Sequence, residues 1–160
     1  MSFLDSMNLV GSALTAERFR MDIALQNLAN QNTTADPATG QEPYRRKQVV
    51  FQERGVSFRD ALRNEAVRVQ NGSARLPGGG AQVLGGGVRA IQVVESQRDF
   101  VPVYDPDHPH ANEDGYVMYP NVNSTEERID LMGASNAYEA NLTALKLVQN
   151  LTLKALDIGK

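Results

Sequence analysis

Met7, Leu14, Met21 and Leu28 recur at seven-residue intervals through residues 3–30, a segment with no proline and one glycine, Gly11. Val10, Ala13, Ala24 and Leu25 occupy positions three or four away. This spacing dictates an α-helix with a narrow apolar seam, closer to the two-in-seven stripe of a coiled coil than to the broad face of a globular core helix. At about 1.5 Å per residue the helix is about 42 Å long. Glu17 and Arg18 interrupt the seam where a further apolar residue is expected.

The other end of the chain repeats the design. Leu131, Ala134, Tyr138, Leu142, Leu145, Val148 and then Leu151 or Thr152 and Ala155 advance in steps of three or four through residues 125–158, and no proline follows Pro120. Ser124 stands three residues before Glu127, a capping-box spacing, and Gly159 takes the position of a C-terminal cap. Most helix stability comes from tertiary packing. Seams this narrow must therefore be covered by each other or by copies on other subunits.

The middle has a different period. Residues 48–52, 88–94 and 115–119 are short β-branched and aromatic stretches bounded by Gly, Pro, Asn and Asp, which predicts strands. Residues 102–109 are too rich in proline for a helix or a central strand. Residues 76–87 hold two glycine triplets and read as a loop, residues 31–43 as a polar connector, and Phe58, Leu62 and Ala66 are spaced for a short helix within 56–69. The expected fold class is α+β: long N- and C-terminal helices packing in coiled-coil fashion, with a small central β unit and extended connectors. The expected organisation is terminal helices at 1–31 and 124–160, a connector and first strand at 32–52, and a small β-rich region at 53–123 that includes the Gly-rich loop 76–87.

Composition narrows the function. A chain of 160 residues suits one domain, or a compact core with extended arms. Hydrophobic residues make up 41%, aromatics 6% and tryptophan is absent, which argues against a single large dry core. The net charge of −3 argues against nucleic acid as a partner. The lack of cysteine removes disulfides, thiolate zinc sites, iron–sulfur clusters and cysteine nucleophiles together. No apolar run approaches the roughly 20 residues that span a bilayer, so direct membrane insertion is not expected. The leading segment is broken by Asp5, Ser6, Asn8 and Gly11 before its first basic residue, Arg18, unlike a cleavable signal peptide.

Asp105, Asp107, His108, His110, Glu113 and Asp114 form the one cluster that invites a metal or catalytic reading. Metal ligands stand at defined spacings on rigid elements, whereas Pro106 and Pro109 spread these residues along an extended turn built from ordinary turn formers. No metal, cofactor or catalytic residue is expected. The glycine triplets lack both phosphate-binding patterns. Arg45, Arg46 and Lys47, entering an alternating strand, read as a solvated face or a subunit contact. The helix amides Asn8, Gln26, Asn27, Asn30 and Gln31, with Asn136, Asn141, Gln149 and Asn150, fit either solvated faces or neutral hydrogen bonds between closely packed helices.

Five segments carry a resemblance. Gln26-Asn27-Leu28-Ala29-Asn30-Gln31-Asn32-Thr33 resembles the Asn-Leu-Ala-Asn signature of the bacterial flagellar rod and hook axial family. Residues 43–51, beginning Pro43-Tyr44-Arg45-Arg46-Lys47, resemble the following segment of its C-type proximal rod branch, as do residues 103–109 and 115–122. Ser135-Asn136-Ala137-Tyr138-Glu139-Ala140-Asn141 resembles the Tyr-Glu-Ala-Asn element shared across the family. Residues 54–87 depart from the pattern.

The resemblance implies a non-enzymatic structural subunit of the flagellar basal body, exported without a cleavable signal by the flagellar type III apparatus. It implies polymerisation through the terminal helices into the axial tube that transmits torque and forms part of the export channel. The implied partners are copies of the chain, other rod proteins, the inner-membrane ring with its rod adaptor, and the export apparatus. Met7, Leu14, Met21, Leu28, Leu131, Tyr138, Leu142 and Leu145 are the expected packing residues; Asn27, Asn30 and Asn141 are the expected amide contacts. A ligand-binding or enzymatic β domain with oligomerising helical arms is the alternative, and it would need the Asp105–Asp114 cluster and Tyr116. A helical adaptor or secretion-associated protein is a third reading, which shares the heptad ends but does not need the middle segments.

Overall fold

A computed structural model describes residues 3–36, 40–55 and 86–158. Along the chain run α1 (Phe3–Ala29), β1 (Lys47–Glu53), β2 (Val88–Glu95), β3 (Val101–Tyr104), β4 (Tyr116–Tyr119) and α2 (Ser124–Ile158). The α+β class follows directly, with the β residues divided between two separate two-stranded antiparallel ladders, β1–β2 and β3–β4. The short helix expected within 56–69, residues 76–85 of the glycine-rich loop and the Gly159 cap lie outside the described residues.

The two long helices pack on each other. Arg20 of α1 donates to Asp130 of α2 at 2.9 Å, and Asn27, seven residues further along α1, donates to Glu127, three residues further back in α2. The helices are therefore antiparallel, with the start of α2 beside the end of α1. The most buried apolar residues of the pair are small: Ala16 and Ala24 on α1, Ala134 on α2. Small side chains let helix axes approach closely but bury little area each. Met7, Leu14, Met21 and Leu28, with Leu131, Tyr138, Leu142 and Leu145, are all half-buried.

The helix ends are closed by amides. Asn30 donates from Nδ2 to the Gln26 carbonyl at 2.8 Å, which also accepts its backbone amide at 3.2 Å, and its Oδ1 accepts from Thr33 Oγ1. At the start of α2, Asn123 Oδ1 accepts from the Thr125 and Glu126 amides, and its carbonyl accepts from the Glu127 amide at 3.1 Å. The N-cap is thus Asn123 rather than Ser124. The shift by one residue frees the Glu127 side chain from a capping box and turns it into the interior.

The β1–β2 ladder runs from Lys47↔Glu95 to Glu53↔Val88, and its register slips between Val50 and Phe51, whose partners Gln92 and Ala90 leave Ile91 as the extra residue of a bulge. Both strands lie along α1. The arm is fastened at two points. At one, Asn27 binds the backbone of Lys47. At the other, Ser12 Oγ accepts from the Val88 amide at 3.1 Å. Fifteen helical residues between Ser12 and Asn27 span about 22 Å, and the seven residues of β1 span about 20 Å at 3.3 Å each. The strand length fits the interval between the two fastenings.

The β3–β4 ladder pairs Val101↔Tyr119 through Tyr104↔Tyr116. Pro102 lies within β3, a strand that the proline content of 102–109 did not announce; with two strands, each is an edge, and an edge accommodates proline. The connecting turn is organised by Asn112, whose Oδ1 accepts from the Asp114 and Tyr116 amides. Gly115 adopts φ +80°, and a Cβ there would stand 3.0 Å from the Tyr104 ring. That ring meets Tyr116 edge-on with centroids 5.3 Å apart.

Candidate functional site

Among the described residues, the most buried polar groups converge where α1 ends, β1 begins and α2 begins. Asn27 is 1% exposed and Glu127 2% exposed. The Asn27 amide makes four hydrogen bonds: Nδ2 donates to the Lys47 carbonyl at 2.8 Å and to Glu127 Oε2 at 2.9 Å, while Oδ1 accepts from Tyr44 Oη at 2.8 Å and the Lys47 amide at 2.9 Å. A primary amide offers two donors and one two-lone-pair acceptor, so its capacity is filled.

Glu127 Oε1 accepts from Arg46 Nε, and Arg46 also faces Asp130 at 3.4 Å and Glu126 at 3.8 Å. Asn121 Oδ1 accepts from the Arg46 amide at 2.7 Å, and its Nδ2 donates to the Arg98 carbonyl at 2.7 Å. Burial raises the pKa of the Tyr44 phenol, and the nearby carboxylates of Glu127 and Glu95 push it further in the same direction. A neutral phenol is what the site requires, since its O–H donates to Asn27.

Three of the segments that carry the resemblance meet here: residue 27 comes from the first, 44, 46 and 47 from the second, and 121 from residues 115–122 just after β4. Arg46, expected on a solvated face or at a subunit contact, is instead buried with its guanidinium against three carboxylates. The charge-assisted bond to Glu127 offsets part of the desolvation that burial imposes. Its neighbour Arg45 stays partly exposed, with its guanidinium 4.4 Å from the centroid of the Phe100 ring. Asn27 contributes to this node and Asn30 to the end of α1. Asn141 lies half-buried on α2, away from both.

The Asp105–Asp114 cluster is a turn. His110 Nδ1 is 2.9 Å from Thr34 Oγ1, and His108 Nδ1 accepts from the His110 amide at 3.0 Å. Among the described residues, no three His, Cys, Asp or Glu side chains gather in a way that could hold a metal ion. No helix there is long and apolar enough to cross a membrane.

The node binds the molecule to itself; the helices present what it leaves uncovered. Ile129, Met132, Leu147, Leu151, Leu153 and Leu156 of α2 are 59–66% exposed, and Leu9, Phe19 and Leu25 of α1 are also exposed. Large apolar side chains left this exposed along a helix mark a surface for other proteins.

Known proteins agree. A family profile described as the C-terminal region of the flagellar basal body rod FlgEFG protein matches residues 113–158. The flagellar basal-body rod protein FlgC of Bacillus subtilis is 40% identical over 162 aligned residues that cover both chains completely. FlgC of Salmonella typhimurium is 37% identical over 160 residues, again covering both chains. FlgC of Borreliella burgdorferi is 33% identical over 165 residues, covering 99% of this chain and 98% of its own. With helices, node and exposed apolar face in place, the chain belongs to the FlgC family of flagellar basal-body rod proteins, structural components of the basal body.

Proposed function

We propose that this chain is a proximal-rod subunit that polymerises through its two terminal helices, with copies of itself and with other rod proteins, into the axial tube. In this reading α1 and α2 form the inner axial domain and the β ladders face outward. The tube carries torque and encloses part of the export channel, and its base meets the inner-membrane ring and its rod adaptor. The subunit reaches that site through the flagellar type III export apparatus, without enzymatic activity of its own.

The observation that carries the proposal is the uncovered leucine and methionine surface of α2. Burying one such side chain is worth roughly 1.5–3 kcal/mol, so the exposed residues of α2 offer a large gain only when neighbours cover them. The alanine-lined contact within the chain is thin by comparison. Part of the helix order is therefore gained on assembly, and Asn141 meets a neighbouring subunit there. Leu28→Asp and Leu145→Asp strike the half-buried seam; Leu151→Asp strikes the exposed face alone. A Leu151→Asp chain with the circular dichroism of the unaltered protein, missing from purified basal bodies and unable to support swimming, is the expected result. Normal incorporation and swimming by all three variants would overturn the proposal.

A further inference from the structure

Two features of the chain are each incomplete. One is the end of α2. This helix is eight residues longer than α1 and starts beside the end of α1, so its last turns run past the first residues of α1, out of reach of their cover. Leu147, Leu151, Leu153 and Leu156 stand exposed there. Lys146, Asn150, Lys154 and Asp157, spaced by four, four and three, form one narrow polar strip. Gln149 and Thr152 are polar as well, and Leu147, Val148, Leu151 and Ala155 share the apolar face of this stretch.

The other is a groove of about 600 Å³ between the first half of α1 and β2. Its floor is formed by Gly11, Thr15 and Ala16, residues small enough for a helix to approach closely. Phe19 closes one end, and Arg54 and Arg89 line the side contributed by the arm. Among the described residues neither arginine has an ion-pair partner. From residue 7 to residue 19 the groove wall on α1 is about 18 Å long, the length of twelve helical residues.

We propose that residues 147–158 of α2 seat in this groove on a second copy of the chain. Length matches length, and Leu147 and Leu151, on one face of α2, meet a floor of small residues. The charges also fit: the last turn of α2 carries no basic residue, so Asp157 and the negative end of the helix dipole face Arg54 and Arg89. The two surfaces differ, so each copy offers both, and the contact propagates head to tail rather than closing as a dimer. This inference rests on the polymerising role proposed above and adds which surfaces meet.

The absence of cysteine from the chain makes the test direct. Two differently tagged chains, one Thr15→Cys and the other Leu151→Cys, are produced together, and basal bodies are purified and oxidised. The expected result is a disulfide-linked mixed dimer at least tenfold above that from Arg128→Cys paired with Leu151→Cys. Asn8→Cys with Leu151→Cys gives the same reading from a second groove position should Thr15→Cys disturb α1. Incorporation of all chains with no linked dimer above the control overturns the docking while leaving the rod role intact. Absence of the unaltered chain from basal bodies overturns the polymerising role itself. In a second arm, Arg54→Glu with Arg89→Glu lowers incorporation at least tenfold and added Asp157→Arg restores it; wild-type incorporation of the double glutamate chain contradicts the docking.

Discussion

Gly87 lies against Ser12 so closely that a side chain at position 87 would overlap the serine hydroxyl and come within 2.8 Å of its Cβ. Its φ of +103° lies in the region that disfavours every other residue. The contact is what brings the Val88 amide to Ser12 Oγ and seats the base of the arm on α1.

Gly87→Ala is therefore expected to destabilise the protein by about 3 kcal/mol, combining overpacking with a left-handed backbone. Gly86→Ala, whose Cβ would meet nothing nearer than 3.9 Å, is expected to change stability by less than about 1 kcal/mol. Chemical denaturation of the two variants side by side checks this. Equal effects would mean that the Ser12 contact does not hold the arm.

Adjacent glycines with such different roles show where sequence reading stops. Both stand in one triplet, and nothing in their neighbours distinguishes the glycine that must approach Ser12. The terminal helices were legible because a seven-residue repeat is a local property of each segment. The node was not, because its members come from positions 27, 44, 46, 121 and 127 and acquire meaning only when the helices pair. Arg46 between two other basic residues reads as solvent-facing; its burial depends on carboxylates some eighty residues away. Glu127 carried a helix-start signal, and the true cap one residue earlier reassigned it to the interior. Asn27 stood out as an uncharged amide near a seam, yet its four partners could not be foreseen.

Removing one charge from the buried pair separates its contribution from that of surface ion pairs. Glu127→Gln leaves Arg46 without its nearest carboxylate, and losing one partner of a buried pair typically costs about 3–5 kcal/mol. Asp130 and Glu126 remain near the guanidinium, so a loss of about 3 kcal/mol is expected. Arg20→Ala removes a pair whose side chains are 41% and 42% exposed, and should cost less than about 1 kcal/mol. Urea midpoints at unchanged slope give both values. A larger effect at Arg20 would refute this ranking.

The phenol of Tyr44 gives the node an alkaline limit. Its pKa is raised in the folded state, so its contribution is complete below pH 10 and is lost as pH climbs through the raised value. Tyr44→Phe is expected to cost about 1 kcal/mol at pH 8, the worth of one hydrogen bond. The difference between wild type and variant should shrink toward zero as pH climbs above 10 and through the raised value. A constant difference across that range would show that Tyr44 does not donate to Asn27.

Asn27→Asp changes one side-chain nitrogen to oxygen and keeps the shape. It deletes the donors to the Lys47 carbonyl and to Glu127 Oε2, and it places a second carboxyl 2.9 Å from the first. Two carboxylates that close cannot both ionise cheaply, so the pair is expected to hold a shared proton with an apparent pKa above the usual carboxylate range. A raised folded-state pKa gives stability that is present at low pH and lost as pH rises. The variant should therefore be destabilised more strongly at pH 8 than at pH 5, by more than about 1 kcal/mol between the two. Asn27→Leu, which has no proton to share, should lose the same stability at both. Parallel pH profiles for the two variants would contradict the assignment of Glu127 as the carboxylate that Asn27 serves.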